Sequence, residues 1–411
     1  MRASILYAGF ALASFMDSEY GDLSVEQKPI KDHSHSHHHH DHGHGHGNGH
    51  VEVEYLNLPG NNFYEDLDAE LNGPLYAGIQ TFAHLGHVSC FDPTNFASEQ
   101  FDIALVGAPF DTAVTFRSGA RFGPAGIRKG SRRMSPGQVS PYREGFMLYD
   151  DWAKFVDCGD VAMHPLDNRY ALNQLYRGMR AIHNHTTSTL NATHIPRAIL
   201  MGGDHTTTLS ALQAIYEKIG PVSVIHFDSH IDTWDPMVLG GNVSSYMQVN
   251  HGTFLHYAAE RGYLNHGHNL HVGSRAPYVR KHGDIEHDKH CGFAIVNARE
   301  IDEVGIAGVV QKIKDRVGNT NVYISVDIDV LDPVYAPGTG TAEPGGYTTR
   351  EFMQILDGLE GINIVGADVV EVAPAYDGPG DVTLLAAAQV IDSLASLMVM
   401  NGPLSTRQST K

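Results

Sequence analysis

Asp228, His230 and Asp232 stand at two-residue spacing behind a short apolar run, in "VSVIHFDSHIDTWD" (222–235). In an extended strand alternate side chains share a face, so this spacing predicts that two carboxylates and an imidazole converge on one side. That is a ligand set for divalent Mn, Fe, Co or Zn. Taken alone, it is also what a strand running into a polar loop looks like. Two further apolar runs end in the same way. "MGGDHTTTLS" (201–210) carries His205 after Gly202 and Gly203, which predict a tight turn into a helix. "SVDIDVLDP" (325–333) places Asp327 and Asp329 on one predicted face before Pro333. Four carboxylates and two imidazoles exceed the needs of one ion and suit two ions sharing bridging carboxylates. Without cations such a cluster repels itself, because neighbouring like charges resist joint ionisation.

The elements that must hold these residues are legible as an alternation. Short apolar runs lie at 101–108, 153–158, 197–202, 222–228, 269–274, 292–297, 321–327 and 362–370, several with β-branched interiors, as expected of strands buried on both faces. Helix-period stripes lie between them, at 206–219 (Leu209, Leu212, Ile215, Tyr216, Ile219) and roughly at 170–183, 301–317, 349–360 and 382–399. The prediction is a single three-layer α/β/α domain with a mainly parallel sheet of about eight strands. Sites in such folds lie beyond the carboxyl ends of the strands, where all three acidic runs fall.

"GGDHT", "DSHID" and "SVDIDVLDP", in that order, resemble the signatures of the ureohydrolases, the family of arginase, agmatinase and guanidinobutyrase. The resemblance spans about Phe101 to Leu397. "FRSGARFGPAGIR" (116–128), "NHGT" (250–253) and "PGTGTAEPGG" (337–346) are closer to its agmatinase-like branch, although Ala342 stands where that branch commonly has proline and the 232–251 stretch is longer than in compact members.

The resemblance implies two Mn²⁺ ions per subunit: one held by His205 and Asp232, the other by His230 and Asp329, with Asp228 and Asp327 bridging. It also implies an arginase-like fold, a homo-oligomer, and hydrolysis of a linear guanidino compound to urea and an amine by a metal-bridging hydroxide. Agmatine is slightly favoured over 4-guanidinobutanoate. The catalytic set it implies is Asp232, which accepts a hydrogen bond from the hydroxide and relays its proton, His251 as proton shuttle, and Glu371, at the end of "GADVVE", as the partner of the guanidinium. The alternatives are a catalytically silent metal- or ligand-binding protein of the same ancestry, and a member acting on another guanidino acid. His226 is either support for a ligand or a core histidine. Arg117 and Arg121 either read a substrate carboxylate or cover the surface; Trp234 and Asp235 are candidates for a tail pocket.

A net charge of −19 over 411 residues argues against a nucleic-acid binder, which needs a basic stripe to meet phosphates, and is compatible with a cationic small substrate. Residues 1–16, with Arg2 before an apolar run too short to span a bilayer, read as a signal peptide; the alternatives are a mitochondrial presequence, which would normally carry more arginine and no early acids, or a merely apolar segment on a cytoplasmic protein. Residues 17–60 read as a disordered segment, with ten histidines between 33 and 50, and 61–411 as the catalytic domain. Sequons at Asn184, Asn191 and Asn242 fit entry into the secretory pathway and a vacuolar or extracellular destination. Of the three cysteines, Cys90 and Cys158 can pair if the protein is secreted.

Overall fold

The structure is a computed structural model that describes residues 76–189, 195–240, 244 and 247–404. The expected signal peptide, the His-rich segment, the domain boundary at 61 and the sequons at Asn191 and Asn242 lie outside the described residues. Asn184 is exposed, and its side-chain oxygen accepts a hydrogen bond from Lys218 Nζ at 2.6 Å.

All eight apolar runs form strands: β1 (Ile103–Gly107), β2 (Phe155–Asp160), β3 (Arg197–Met201), β4 (Ser223–Phe227), β5 (Asn269–Ser274), β6 (Phe293–Asn297), β7 (Val322–Asp327) and β8 (Ile364–Val370). They make one sheet in the order β2-β1-β3-β8-β7-β4-β5-β6, and every pairing is parallel. The strands alternate between two cores, as the pleat requires. Ile103, Leu105, Ile225, Phe227, Ile324 and Val326 pack on one face with α1 (Gly123–Gly130), α6 (Glu300–Val317), α7 (Thr349–Gly358) and α8 (Val382–Met400). Ala104, Val106, Val224 and Tyr323 pack on the other with α2 (Asn168–Ile182), α3 (Thr207–Ile219) and α4 (Phe254–Glu260). Each buried aliphatic side chain contributes about 1.5–3 kcal/mol, and burial on both faces is why the strands read as continuous apolar runs.

Three helices lacked a legible stripe. These are α1, α4 and α5 (Gly283–His290), each of seven or eight residues and too short for a period to stand out. Among the described residues, α8 is the one helix long and apolar enough to cross a membrane, and it is instead mostly buried in the core. Cys90 and Cys158 are joined, tying the segment before β1 to β2 across a separation of 68 residues. Closing a loop of that length restricts the unfolded chain and stabilises the fold by about 4 kcal/mol in the chain-entropy account.

Candidate metal centre

Four adjacent strands at the middle of the sheet, β3, β8, β7 and β4, end at the site. After β3, Gly202 and Gly203 let the chain pass under its neighbours. A Cβ on Gly203 would stand 1.8 Å from the Phe110 carbonyl oxygen, and one on Gly202 2.5 Å from Val370 Cγ1. Neither has a positive φ, so close approach, and not the turn conformation expected from sequence, demands glycine there. His205 follows, fully buried. Its Nε2 lies 2.8 Å from Ser325 Oγ, which donates to Asp368 Oδ1 at 2.6 Å. Asp368 also accepts from the hydroxyls of Thr208 (2.7 Å) and Tyr323 (2.9 Å). This relay keeps a proton on Nε2 and aims Nδ1 into the centre, the arrangement that fixes a metal-ligating histidine.

There Nδ1 meets Asp228 Oδ2 at 3.0 Å, Asp232 Oδ2 at 3.2 Å and Asp327 Oδ2 at 3.4 Å. His230 Nδ1 lies 3.1 Å from Asp329 Oδ2 and 3.3 Å from Asp228 Oδ1. Two groups of ligand atoms result: His205, His226, Asp228 and Asp232, and Asp228, His230 and Asp329. Asp228 belongs to both, as a bridging carboxylate must.

The convergence does not come from an extended strand. β4 stops at Phe227 and β7 at Asp327. Beyond them, carboxylates fold the chain by accepting from backbone amides: Asp228 Oδ1 from His230 (2.6 Å), Asp327 Oδ1 from Asp329 (2.8 Å) and Asp329 Oδ1 from Ser229 (3.0 Å). Asp232 has φ of 50°, a strained conformation for a residue with a Cβ. The residues that alternation groups on one face do come together, but through turns and not through a pleated strand, since Asp side chains readily capture the amide two residues on.

Protonation follows from this crowding. Burial opposes charge on His205, but the three carboxylates outweigh it and hold its pKa well above the ordinary range. Burial, then the charges of Asp329 and Asp228, push Asp327 well up, and burial with Asp228 raises Asp232 to about 6. Cations and protons thus compete for one pocket of negative charge. His226 is driven down to about 3 by burial. Its Nε2 lies 3.1 Å from Asp228 Oδ2, while Nδ1 meets His271 Nδ1 at 2.8 Å and His271 Nε2 meets Asp288 Oδ1 at 2.9 Å.

Glu371 leaves β8 with φ of 59° and is buried. Its Oε1 accepts from the His205 amide at 2.9 Å and lies 3.0 Å from His251 Nδ1, while Oε2 accepts nothing among the described residues. His251 Nε2 accepts from the Thr115 amide at 3.0 Å and lies 2.7 Å from Thr115 Oγ1. Burial lowers the His251 pKa, but the Glu371 hydrogen bond and charge, with Asp232 and Asp204, raise it to about 8. The Thr115 amide requires a lone pair on Nε2 and so favours the neutral ring with its proton on Nδ1. The histidine is poised between the two states near neutrality. Asp204 is itself raised to about 7 by burial and by Glu371.

A cavity of about 190 Å³ opens onto this centre, lined among others by Thr115, His230, Asp232, Trp234, His251 and Glu343. Trp234 is where the sequence places it. Asp235 does not line the cavity; it lies 3.5 Å from Arg280 and caps Met237. Arg121 is paired with Asp111, and Arg117 packs over Phe116 and Tyr376, so neither lines the cavity. Thr115, Ser325, Glu343 and Asp368 went unnoticed in the sequence because serine, threonine and lone acids carry no spacing signal. An Asp368→Asn change places an amide where Ser325 must donate. It is expected to weaken metal retention by about 10–100-fold while leaving the fold intact, as read by metal titration of the stripped protein.

Residues 101–396 match the Arginase family. A putative agmatinase of Schizosaccharomyces pombe is 45% identical over 340 residues, 79% of this chain and 83% of its own length. A guanidinobutyrase of Pseudomonas aeruginosa is 34% identical over 325 residues, 79% of this chain and 94% of its own. The solved structure of proclavaminate amidinohydrolase from Streptomyces clavuligerus superposes with a TM-score of 0.69 at 30% identity, covering 80% of this chain and 100% of its own. The eight-stranded sheet with its carboxylate-rich centre is thus the arginase-like fold, and the chain belongs to the arginase family, in its agmatinase-like branch of hydrolases acting on amidine C–N bonds.

Proposed function

We propose that the protein hydrolyses a linear guanidino compound, agmatine in preference to 4-guanidinobutanoate, to urea and an amine, using two divalent ions of the manganese kind. The observation that carries this is the pair of ligand groups sharing Asp228. Four of their buried atoms, His205 Nδ1, His226 Nε2, Asp228 Oδ2 and Asp329 Oδ2, have no hydrogen-bond partner among the described residues, which a protein tolerates where cations complete them. His205, Asp228 and Asp232 would hold one ion and Asp228, His230 and Asp329 the other, with Asp327 close to the first. Bound there, two such ions would supply the Lewis acidity needed against a resonance-stabilised guanidinium.

The chain's own residues then have separable tasks. Glu371 stands behind His251 and is not among the cavity-lining residues; its Oε1 keeps His251 in place, and its Oε2, with no other hydrogen bond among the described residues, receives a guanidinium N–H that reaches past the ring. Asp232, beside His205 Nδ1 at 3.2 Å, accepts the proton lost by the attacking water. His251, with the Thr115 hydroxyl beside it, returns a proton to the departing amine.

The tail is read by what lines the cavity. Glu343 is the one carboxylate there outside the ligand set, and no lysine or arginine lines it among the described residues. That favours an ammonium tail over a carboxylate. Urea release from agmatine, 4-guanidinobutanoate, 3-guanidinopropanoate and arginine, measured in parallel on Mn²⁺-loaded protein, tests the reading. Agmatine is expected to be best, and Glu343→Gln to raise its KM about tenfold with kcat little changed, as for a contact used equally in ground and transition states. A better rate on 4-guanidinobutanoate would overturn the tail assignment. Silence on all four with two ions bound would favour the silent binding protein. The Cys90–Cys158 bond supports the secretory reading, since such bonds persist in oxidising compartments.

A further inference from the structure

A second cluster of metal-ligating side chains lies outside the carboxylate-rich centre. His256 on α4 faces His287 on α5, with Nδ1 and Nε2 3.0 Å apart and the rings stacked at 5.0 Å between centroids. Cys291, which ends α5, stands four residues after His287 and therefore on the same helix face. One nitrogen from each imidazole and the Cys291 sulfur lie within 4.8 Å of one another. Both histidines are half-buried and the cysteine is buried, so the cluster has a closed base and an open mouth. Cys291 is the one cysteine outside the disulfide, and none of the three residues lines the substrate cavity.

We propose that His256, His287 and Cys291 form a separate metal centre for a borderline-soft divalent ion of the zinc class, with the fourth position left to solvent. The donor set is the basis of the assignment. Thiolate with imidazole selects zinc-like ions, whereas carboxylate-rich sites suit harder ones. Tetrahedral bonds of about 2.0–2.1 Å to nitrogen and 2.3 Å to sulfur place the three donors roughly 3.3–3.8 Å apart. The histidine nitrogens, hydrogen-bonded at 3.0 Å, part by a few tenths of an ångström as the proton between them is given up, and the Cys291 sulfur already lies within 4.8 Å of a nitrogen of each ring.

The surroundings are electronegative. Burial, then the charges of Asp288, Glu260 and Asp235, push the Cys291 thiol up to about 12, and the same three carboxylates favour a cation at that spot. Binding forms two metal–nitrogen bonds and one metal–sulfur bond and releases the thiol proton to solvent, so affinity rises with pH. The bound ion would clamp α4 to α5. α4 is anchored beside the main centre, since the Leu255 amide donates to the Asp232 carbonyl at 3.2 Å.

Co²⁺ titration of the full-length protein, in oxygen-free buffer without reductant, reads this site alone. Thiolate-to-cobalt charge transfer absorbs in the near ultraviolet and needs a sulfur ligand. The carboxylate-rich centre and the histidine run at 33–50 lack one. The expected result is a band whose final intensity corresponds to one thiolate-bound Co²⁺ per chain, whatever further Co²⁺ the other sites take up; it is displaced by Zn²⁺ and is absent in Cys291→Ser. His256→Gln and His287→Gln are each expected to weaken Co²⁺ binding roughly tenfold or more. Circular dichroism confirms folding, and if Cys291→Ser does not fold, the two half-buried histidine variants carry the test. No band from folded protein at saturating Co²⁺, or a band of unchanged affinity in both histidine variants, would overturn the proposal; the latter marks a lone-thiol adduct.

Discussion

Asp228→Asn is expected to lower kcat/KM for the best guanidino substrate by about 10⁴-fold or more, with metal content falling from two ions per chain to one or fewer. The reason lies in how completely this carboxylate is used. Oδ1 folds the loop by accepting from the His230 amide at 2.6 Å, and Oδ2 lies 3.0 Å from His205 Nδ1 and 3.1 Å from His226 Nε2. Burial works against its charge, but His226, His205 and His230 outweigh burial and hold its pKa well below the ordinary carboxylate range. An amide of the same shape keeps one acceptor for the turn and loses the charge shared by the two ligand groups. The secondary structure should therefore survive while both groups lose their common member. Steady-state kinetics and elemental analysis of the same sample check it. Two ions retained with near-normal turnover would remove Asp228 from its bridging place.

The second large effect is expected at His251. Replacing it by asparagine should reduce kcat by about 10²–10⁴-fold, the usual contribution of a positioned proton donor, with both ions retained. The same residue gives the metal-stripped protein a pH signature. Its folded pKa of about 8 lies above the ordinary 6.5, because Glu371, Asp232 and Asp204 outweigh burial. A group raised on folding binds its proton more tightly in the native state. The stabilisation is full below the unfolded pKa and is lost as pH rises through about 8. The shift corresponds to about 2 kcal/mol. Denaturant unfolding of stripped wild type and His251→Asn near pH 6 and pH 9 should show the difference between them shrinking by that amount. An unchanged difference would mean that the Thr115 amide keeps the ring neutral throughout.

Local chemistry and tertiary geometry contribute differently to this protein. The strands were legible because burial on both faces leaves apolar runs such as "ALVG" and "YISV", and eight runs became eight strands. Long helices showed through their stripes, whereas α1, α4 and α5 are too short to display one. The ligand types were legible too, since carboxylates clustered with histidines at apolar strand ends repel one another unless cations join them.

What sequence could not supply was the order β2-β1-β3-β8-β7-β4-β5-β6, which seats four strand ends side by side although their residues are up to 166 positions apart. Nor could it supply the Asx-type turns that replace the expected strand geometry, the Ser325–Asp368 relay behind His205, or the pairing of Arg121 with Asp111 that removes it from the cavity. Those depend on contacts between distant segments, and no local pattern encodes which segments meet. By itself the sequence determined the chemical inventory and the strand ends that carry it. Only the tertiary structure decided which atoms face one another without a hydrogen bond, because that depends on through-space distance and not on position along the chain.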